Sequence, residues 1–457
     1  MQVDVPRQPS GEGDPSAVGV ARPCPDRADF PARVLLARAA TLLLLFTGGL
    51  FSLAGRLLVG LLRRDARERA VDRLADLVTR LGPAFVKAAQ LLATRVDVLP
   101  PRVCAALGRL HDAVRPVPLA ATDEPTATGL ILDRGPDGVA RPVAAGSIAC
   151  VHRAMAPDGR RVAVKVLRPG VVRQLEVDLE LMRRATRLAA RLPVLRDLPA
   201  VAVVDQLTWA IHSQLDLARE AGHLQEIRDN LTGETGLRVP AVHPELGGDG
   251  VLVMEFMEGL RRGTAAELPA DVRERAVRST LRAIYRMLFV DGLVHCDLHP
   301  GNLYFLPSGE VVLVDVGFTV RLDQDTRWKF ATFFLHMTRG NGTACARTVL
   351  STATPGPRTD ADGFVRELSE LVQANTGAAA ADFDLVSFAA SLFAIQRRHG
   401  LYAAPEFIFP LLSLLVLEGT VRAYAPQVDF QKEAGPYLMK GLFGDAFTPL
   451  PEEERTP

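Results

Sequence analysis

Residues 292–302 read GLVHCDLHPGN, an apolar approach followed by two histidines, an aspartate, a glycine and an asparagine crowded into one short polar turn. The chain continues as LYFL, a PSGE turn and then VVLVDVG, ending at residues 315–317. Two apolar runs flanking a Pro-Ser-Gly turn predict a β-hairpin, and such a hairpin returns Asp315 to the side of Asn302. The two ends of this stretch therefore form one cluster of oxygen-bearing side chains.

Composition sets the limits. The 457 residues are 48% hydrophobic and 23% charged, ordinary values for a folded chain of more than one domain. Lys+Arg and Asp+Glu are 53 each, so global charge favours no nucleic-acid partner. Five cysteines without CxxC spacing suit a reducing compartment rather than a disulfide framework or zinc site. Only five cations are lysines (Lys87, Lys165, Lys329, Lys432, Lys440), which draws attention to each as a compact point charge where arginine would otherwise serve.

Along the chain, residues 1–32 are aperiodic and rich in Pro and Gly, and read as a disordered tail; 446–457 read as a second one. Residues 33–64 form an apolar, membrane-associating helix. Its uncharged core, Ala39–Gly55, spans roughly 26 Å, just short of a bilayer's hydrocarbon core, so it either crosses the membrane or lies in its surface. Residues 65–130 are a helical extension in which one helix, carrying Lys87 and Gln90, is expected to stop at Pro100 and Pro101. Residues 140–260 alternate and turn like a strand-rich lobe with inserted helices, and 261–445 read as a second, helical lobe. The apolar run FIFPLLSLLVL is too short to span a bilayer and is assigned to the core.

Asp297 and Asn302 stand five residues apart, with His295 two before the aspartate, as in the catalytic loop of protein kinases, and Asp315-Val316-Gly317 sits where kinases carry Asp-Phe-Gly. Phosphoryl transfer needs these groups. Asn302 and Asp315 offer hard oxygen ligands for Mg2+ on a nucleotide, and Asp297 orients a hydroxyl or water. Upstream, VAVK places Lys165 on a strand where it would meet the α- and β-phosphates, with Glu220 of a later helix as its carboxylate partner. The backbone of Glu255 and Met257 in VLVMEFMEGL would meet an adenine edge, and the turn Ala144-Ala145-Gly146-Ser147 would cover the phosphates. A lone HxD or a lone strand lysine carries no information; their order along one chain does. His299 reads as a turn-fixing residue.

HxDxHPGN is shared by small-molecule kinases of the aminoglycoside type and by the UbiB (AarF) family of atypical kinase-like proteins. The rest of the chain resembles the second group: RLGPAFVKAAQLLATRVDVLPP is similar to its LGPxFxKxGQxLxxRxDxLPP signature, AAGSIACVH to its Ala-rich loop, QLDLAREA to its ExD helix and LVLEGTVR to its LEG segment. The resemblance implies a kinase-like two-lobe α+β fold with inserted helices, Mg-ATP binding, ATPase-like activity and association with membrane lipid at the cytoplasmic face. It also implies a link to isoprenoid quinone biosynthesis. Lys87 and Gln90 would lie on a helix packed over the site. Three departures bear on that restraint: Ala89 replaces the glycine of KxGQ, Gln214 replaces the Glu of ExD and leaves Asp216 as the carboxylate expected near Lys87, and Gly146 gives the phosphate loop a freer backbone. Together they imply looser control of turnover. The alternatives are a small-molecule phosphotransferase with an open acceptor pocket and a nucleotide-gated lipid-binding scaffold.

Overall fold

The computed structural model describes residues 30–60, 76–95, 99, 101–108, 129–191, 200–233, 236–248, 250–261, 263–299, 301–356, 359–375 and 384–444. The two expected tails fall almost wholly outside these residues.

Helix α1 (Ala32–Gly60) contains the uncharged stretch. It is long and apolar enough to cross a membrane, and only 6% of its Ala32–Gly49 window is buried. Leu36, Leu43, Leu44 and Phe46 are exposed along it. Residues 76–81 are helical, and then Gly82, at φ 118°, turns the chain. Pro83 opens α2 (Pro83–Thr94), and Pro101 opens α3 (Pro101–Gly108). The single helix expected to end at Pro100 and Pro101 is thus broken earlier: α2 stops where the Arg95 N–H folds back to the Leu92 carbonyl. A proline lacks the N–H that the first helical turn leaves unused anyway, so after a break it starts a helix rather than ending one.

The N-terminal lobe is an antiparallel sheet. Strands β1 (Ile131–Leu132), β2 (Ala144–Ala145), β3 (Ala149–Met155) and β4 (Arg161–Leu167) precede three helices, α4 (Val171–Ala189), α5 (Ala200–Ser213) and α6 (Leu217–Asn230). The short β5 (Leu237–Arg238) follows, and β6 (Val251–Glu255) completes the sheet in the order β1-β3-β4-β6, with β2 on β3. Side chains alternate along β4: Val162, Val164 and Val166 pack into the lobe's own small core, while Ala163 belongs to the main core on the opposite face. Lys165 shares the parity of Ala163, so the pleat turns it away from the valines and toward α6.

In the second lobe α7 (Ala270–Arg286) buries Val277, Leu281 and Ile284 at helical spacing, and a π-turn (Met287–Asp291) with Gly292 in the left-handed region leads into β7 (Leu293–His295). The predicted hairpin is β8 (Leu303–Phe305) with β9 (Val311–Leu313), followed by β10 (Thr319–Arg321), which pairs with β7. Then come α8 (Gln324–Thr338), α9 (Gly342–Thr352), β11 (Ala353–Pro355), α10 (Ala361–Ala374), α11 (Leu385–Arg398), β12 (Leu401–Ala403), α12 (Pro405–Tyr424) and α13 (Phe430–Phe443). The FIFPLLSLLVL run lies in α12, which is mostly buried and is a core helix. Glu418 of the LEG segment accepts the N–H groups of Leu385 and Val386 at 3.1 and 3.0 Å, capping α11.

Two helix glycines should respond in opposite senses. A Cβ on Gly441 would stand 2.6 Å from the Phe289 carbonyl oxygen, whereas one on Gly419 meets nothing within 4 Å. Gly441→Ala is expected to cost about 1–3 kcal/mol by overpacking, and Gly419→Ala to gain about 0.5–1 kcal/mol, read as thermal shifts of opposite sign.

Candidate active site

Lys165 is the centre of the cleft. Its buried ammonium donates to both oxygens of Glu220, at 2.7 and 2.9 Å, and to Asp315 Oδ1 at 2.8 Å. Burial works against the Lys165 charge, but the Asp315 and Glu220 carboxylates overcome it and raise its pKa above the ordinary lysine value. Burial likewise opposes the Asp315 charge, yet Lys165 holds that carboxyl well below the usual range, helped by Lys87. At Glu220 burial prevails over Lys165 and pushes the pKa up to about 7. Asp315 is the one non-glycine residue with positive φ, at 55°, among the described residues. Strain of this kind is held at a cost, and here it aims the carboxylate across the cleft at Lys165. A Cβ on Gly317 would lie 3.2 Å from Glu220 Oε2 and 3.3 Å from Asp315 Oδ1, which accounts for glycine in Asp-Val-Gly.

The turn quoted at the outset is built from its own side chains. His295 is fully buried, burial lowers its pKa so that the ring stays neutral, and Nδ1 accepts the Asp297 N–H at 3.0 Å. The His295 carbonyl accepts from Ser413 Oγ of α12 at 2.8 Å, tying the turn to the core. His299 Nδ1 accepts the Gly301 N–H at 2.9 Å, the turn-fixing part expected of it. Asn302 donates through Nδ2 to the Asp297 carbonyl at 2.8 Å. The hairpin returns as predicted, with the Val314 N–H bonded to the Asn302 carbonyl at 3.0 Å.

These contacts decide whether the donor set suits a hard cation. Asn302 spends its amide nitrogen within the turn and so keeps its amide oxygen, while Asp315 commits Oδ1 to Lys165 and is 52% exposed. Two oxygen donors remain. Among the described residues no three His, Cys, Asp or Glu side chains converge as a metal cage. Two oxygens with open coordination fit Mg2+, which keeps waters and takes its other ligands from phosphate oxygens.

One expectation changes. Lys87 does meet a carboxylate, but it is Asp297, with Nζ 3.6 Å from Oδ2, rather than Asp216. Asp216 instead caps α6 by accepting the Arg219 N–H at 2.8 Å, and Gln214 donates to the Ala210 carbonyl at 2.9 Å. Both belong to the link between α5 and α6, where a chain reversal needs local acceptors and donors. Gly146 donates its N–H to the Ala149 carbonyl at 2.8 Å, and its own carbonyl accepts from Arg168. A Cβ there would meet only Ala149 O at 3.5 Å, so the glycine is not required by space. Ala145 lies in β2 opposite Cys150, with Ser147 in the following turn. Gln90 is buried on α2. At the strand exit Glu255 gives its N–H to the Ala241 carbonyl and its side chain to Arg238, which leaves its carbonyl and the next residues, including Met257, for any adenine contact.

Sequence reading missed the supports of α2. Arg38 of α1 pairs with Asp178 of α4 at 2.7 Å, and Arg95, also buried, donates to Gln206 of α5 at 2.9 Å with its guanidinium over Phe409. Arg95 lies inside the signature stretch and had that signal; Arg38 and Asp178, 140 residues apart, had none.

Known proteins resemble this chain in sequence. The sequence profile of the ABC1 atypical kinase-like domain matches residues 139–349. The chain is 33% identical to the Synechocystis "Uncharacterized protein slr0889" over 292 residues, which is 60% of this chain and 71% of that one. It is 30% identical to the "Probable protein kinase UbiB" of Aeromonas hydrophila over 378 residues, 79% of this chain and 68% of that one. A solved structure described as the complex of Rv3197 and erythromycin, from Mycobacterium tuberculosis, aligns at a TM-score of 0.47 and 20% identity, covering 66% of this chain and 76% of that one. Matched in sequence across both lobes at these levels, the chain belongs to the UbiB/ABC1 family of atypical kinase-like proteins.

Proposed function

We propose that this protein binds Mg-ATP in the cleft between its lobes and either hydrolyses it or passes its γ-phosphate to a small or lipid-linked acceptor. The observation that carries the reading is the three-way contact of Lys165 with Glu220 and Asp315, set across from Asp297 and Asn302 in the turn that leads into the β8–β9 hairpin. Lys165 is oriented to meet nucleotide phosphates, Asn302 and Asp315 would hold Mg2+, and Asp297 takes the proton of the attacking hydroxyl or water. When bound, the cation would neutralise phosphate charge. Ala145, Gly146 and Ser147 roof the cleft, with the strand exit at Glu255 and Met257 beside the adenine.

The acceptor has to share Asp297 with Lys87 of α2. That closed approach favours water or a small group over a protein substrate and speaks against a small-molecule kinase with an open acceptor pocket. The exposed leucines of α1 favour work at the cytoplasmic face of a membrane, with a lipid or lipid-like partner. Family relation adds the link to isoprenoid quinone biosynthesis. A nucleotide-gated scaffold is the rival, and turnover separates the two.

The test is Mg-dependent ATP binding and phosphate release by the full chain, with and without lipid vesicles. Asp297→Asn is expected to keep binding and to lose phosphate release by roughly 10²–10⁴-fold, while Asp315→Asn loses Mg-dependent binding. Binding without release in the wild type would leave the scaffold; no binding would end the nucleotide reading. Because Glu220 takes up a proton near pH 7 and then holds Lys165 less firmly, release should fall as pH drops through about 7. Glu220→Gln should flatten that limb of the profile.

A further inference from the structure

We infer that Arg38, on the apolar helix α1, is a positioning residue that holds Lys87 against Asp297. This deepens the reading above, since it names what regulates access to Asp297.

Asp178 is fully buried, and a bare carboxylate there would be costly, so its partner is not optional. Arg38 supplies Nε and Nη2 to the two Asp178 oxygens at 2.7 and 2.8 Å. The same Nη2 donates to the Leu81 carbonyl at 2.6 Å. One planar fork thus grips α4 and the chain entering α2 at once, which a lysine's single nitrogen cannot reproduce in the same geometry.

Gly82 lies in the crook of that grip. A Cβ there would stand 2.7 Å from Gln174 Nε2 and 3.1 Å from Arg38 Nη2, and φ is +118°, so the turn is closed around the strap. Pro83 follows at once and starts α2, and Lys87 stands about one helical turn further on. The far end of α2 is fixed by Arg95 to Gln206 and Phe409, within the kinase-like body. Only the near end is held from α1, whose other surface is largely exposed. Ala84, Ala88 and Leu91 seat α2 on the main core, and Arg38 adds the hold that fixes its near end, one turn from Lys87, to α1.

The chain's five lysines make this measurable. Amine acylation of the full-length protein, read by peptide mass spectrometry, gives a rate for each, and Lys87 should react slowly because its side chain is 11% exposed. Arg38→Lys keeps a charge for Asp178 but gives up the double grip. The double variant Arg38→Met with Asp178→Leu removes the buried charge together with the strap, so it does not depend on tolerating an unpaired carboxylate. Both are expected to raise the Lys87 rate about fivefold or more, with Lys329 and Lys432 unchanged. Unchanged Lys87 rates in both variants overturn the inference. A rise in Arg38→Lys that vanishes in the double variant also overturns it, because the effect is then only that of a poorly paired buried charge. Asp297→Asn should raise the Lys87 rate through its own loss of partner. If it does not while the Arg38 variants do, the contact that Arg38 is inferred to hold is absent and the inference falls. Absence of ATP turnover in the wild type would remove the functional reading and leave the labelling result intact. Where turnover is present, the Arg38 variants should also shift the pH profile of phosphate release, which a purely structural strap would not move.

Discussion

An ammonium buried between two carboxylates is the constraint on which the molecule turns. Lys165 comes from a strand of the N-terminal sheet, Glu220 from a helix inserted after it and Asp315 from the hairpin of the second lobe. Lys165 and Glu220 are buried and Asp315 reaches in from the exposed side, so losing either carboxylate would leave the buried ammonium under-paired, at a cost of about 3–5 kcal/mol. The contact thereby couples sheet, helix and hairpin. The positive φ of Asp315 and the missing side chain at Gly317 are local prices of bringing those groups so close.

A second charge contact sits on the first. Lys87 neutralises Asp297 from outside the kinase-like body, on a helix held at one end by Arg95 and at the other by Arg38. Ordinary kinase geometry leaves the corresponding side of the cleft to the acceptor. Here a helix fills it, and its footing reaches through Arg38 to the apolar helix α1. The Asp297 carboxylate and α1 are in this way linked through Lys87, α2 and Arg38.

Much of this could be read along the chain because its signals are local. Two apolar runs about a Pro-Ser-Gly turn predicted the β8–β9 hairpin, and the hairpin's register brings Asp315 to Asn302 by the geometry of any two-stranded turn. Helical spacing located Val277, Leu281 and Ile284 in the core. Where a local rule had two outcomes, reading failed: Pro101 was expected to stop a helix and instead starts one. Asp216 shows the same limit, for a carboxylate at the position just before a helix start is as good a cap as a partner for a distant lysine.

The sequence by itself determined the order of the groups: a strand lysine, a helix glutamate, an aspartate and an asparagine five residues apart, and a second aspartate after a hairpin. Order along the chain is enough there because each group is delivered by a secondary structure whose period can be counted. Only the tertiary structure decided the pairings across long separations, Lys87 with Asp297 and Arg38 with Asp178 and Leu81. Those depend on which helix faces pack together, and an exposed-looking arginine carries no mark in sequence of the buried carboxylate it will meet.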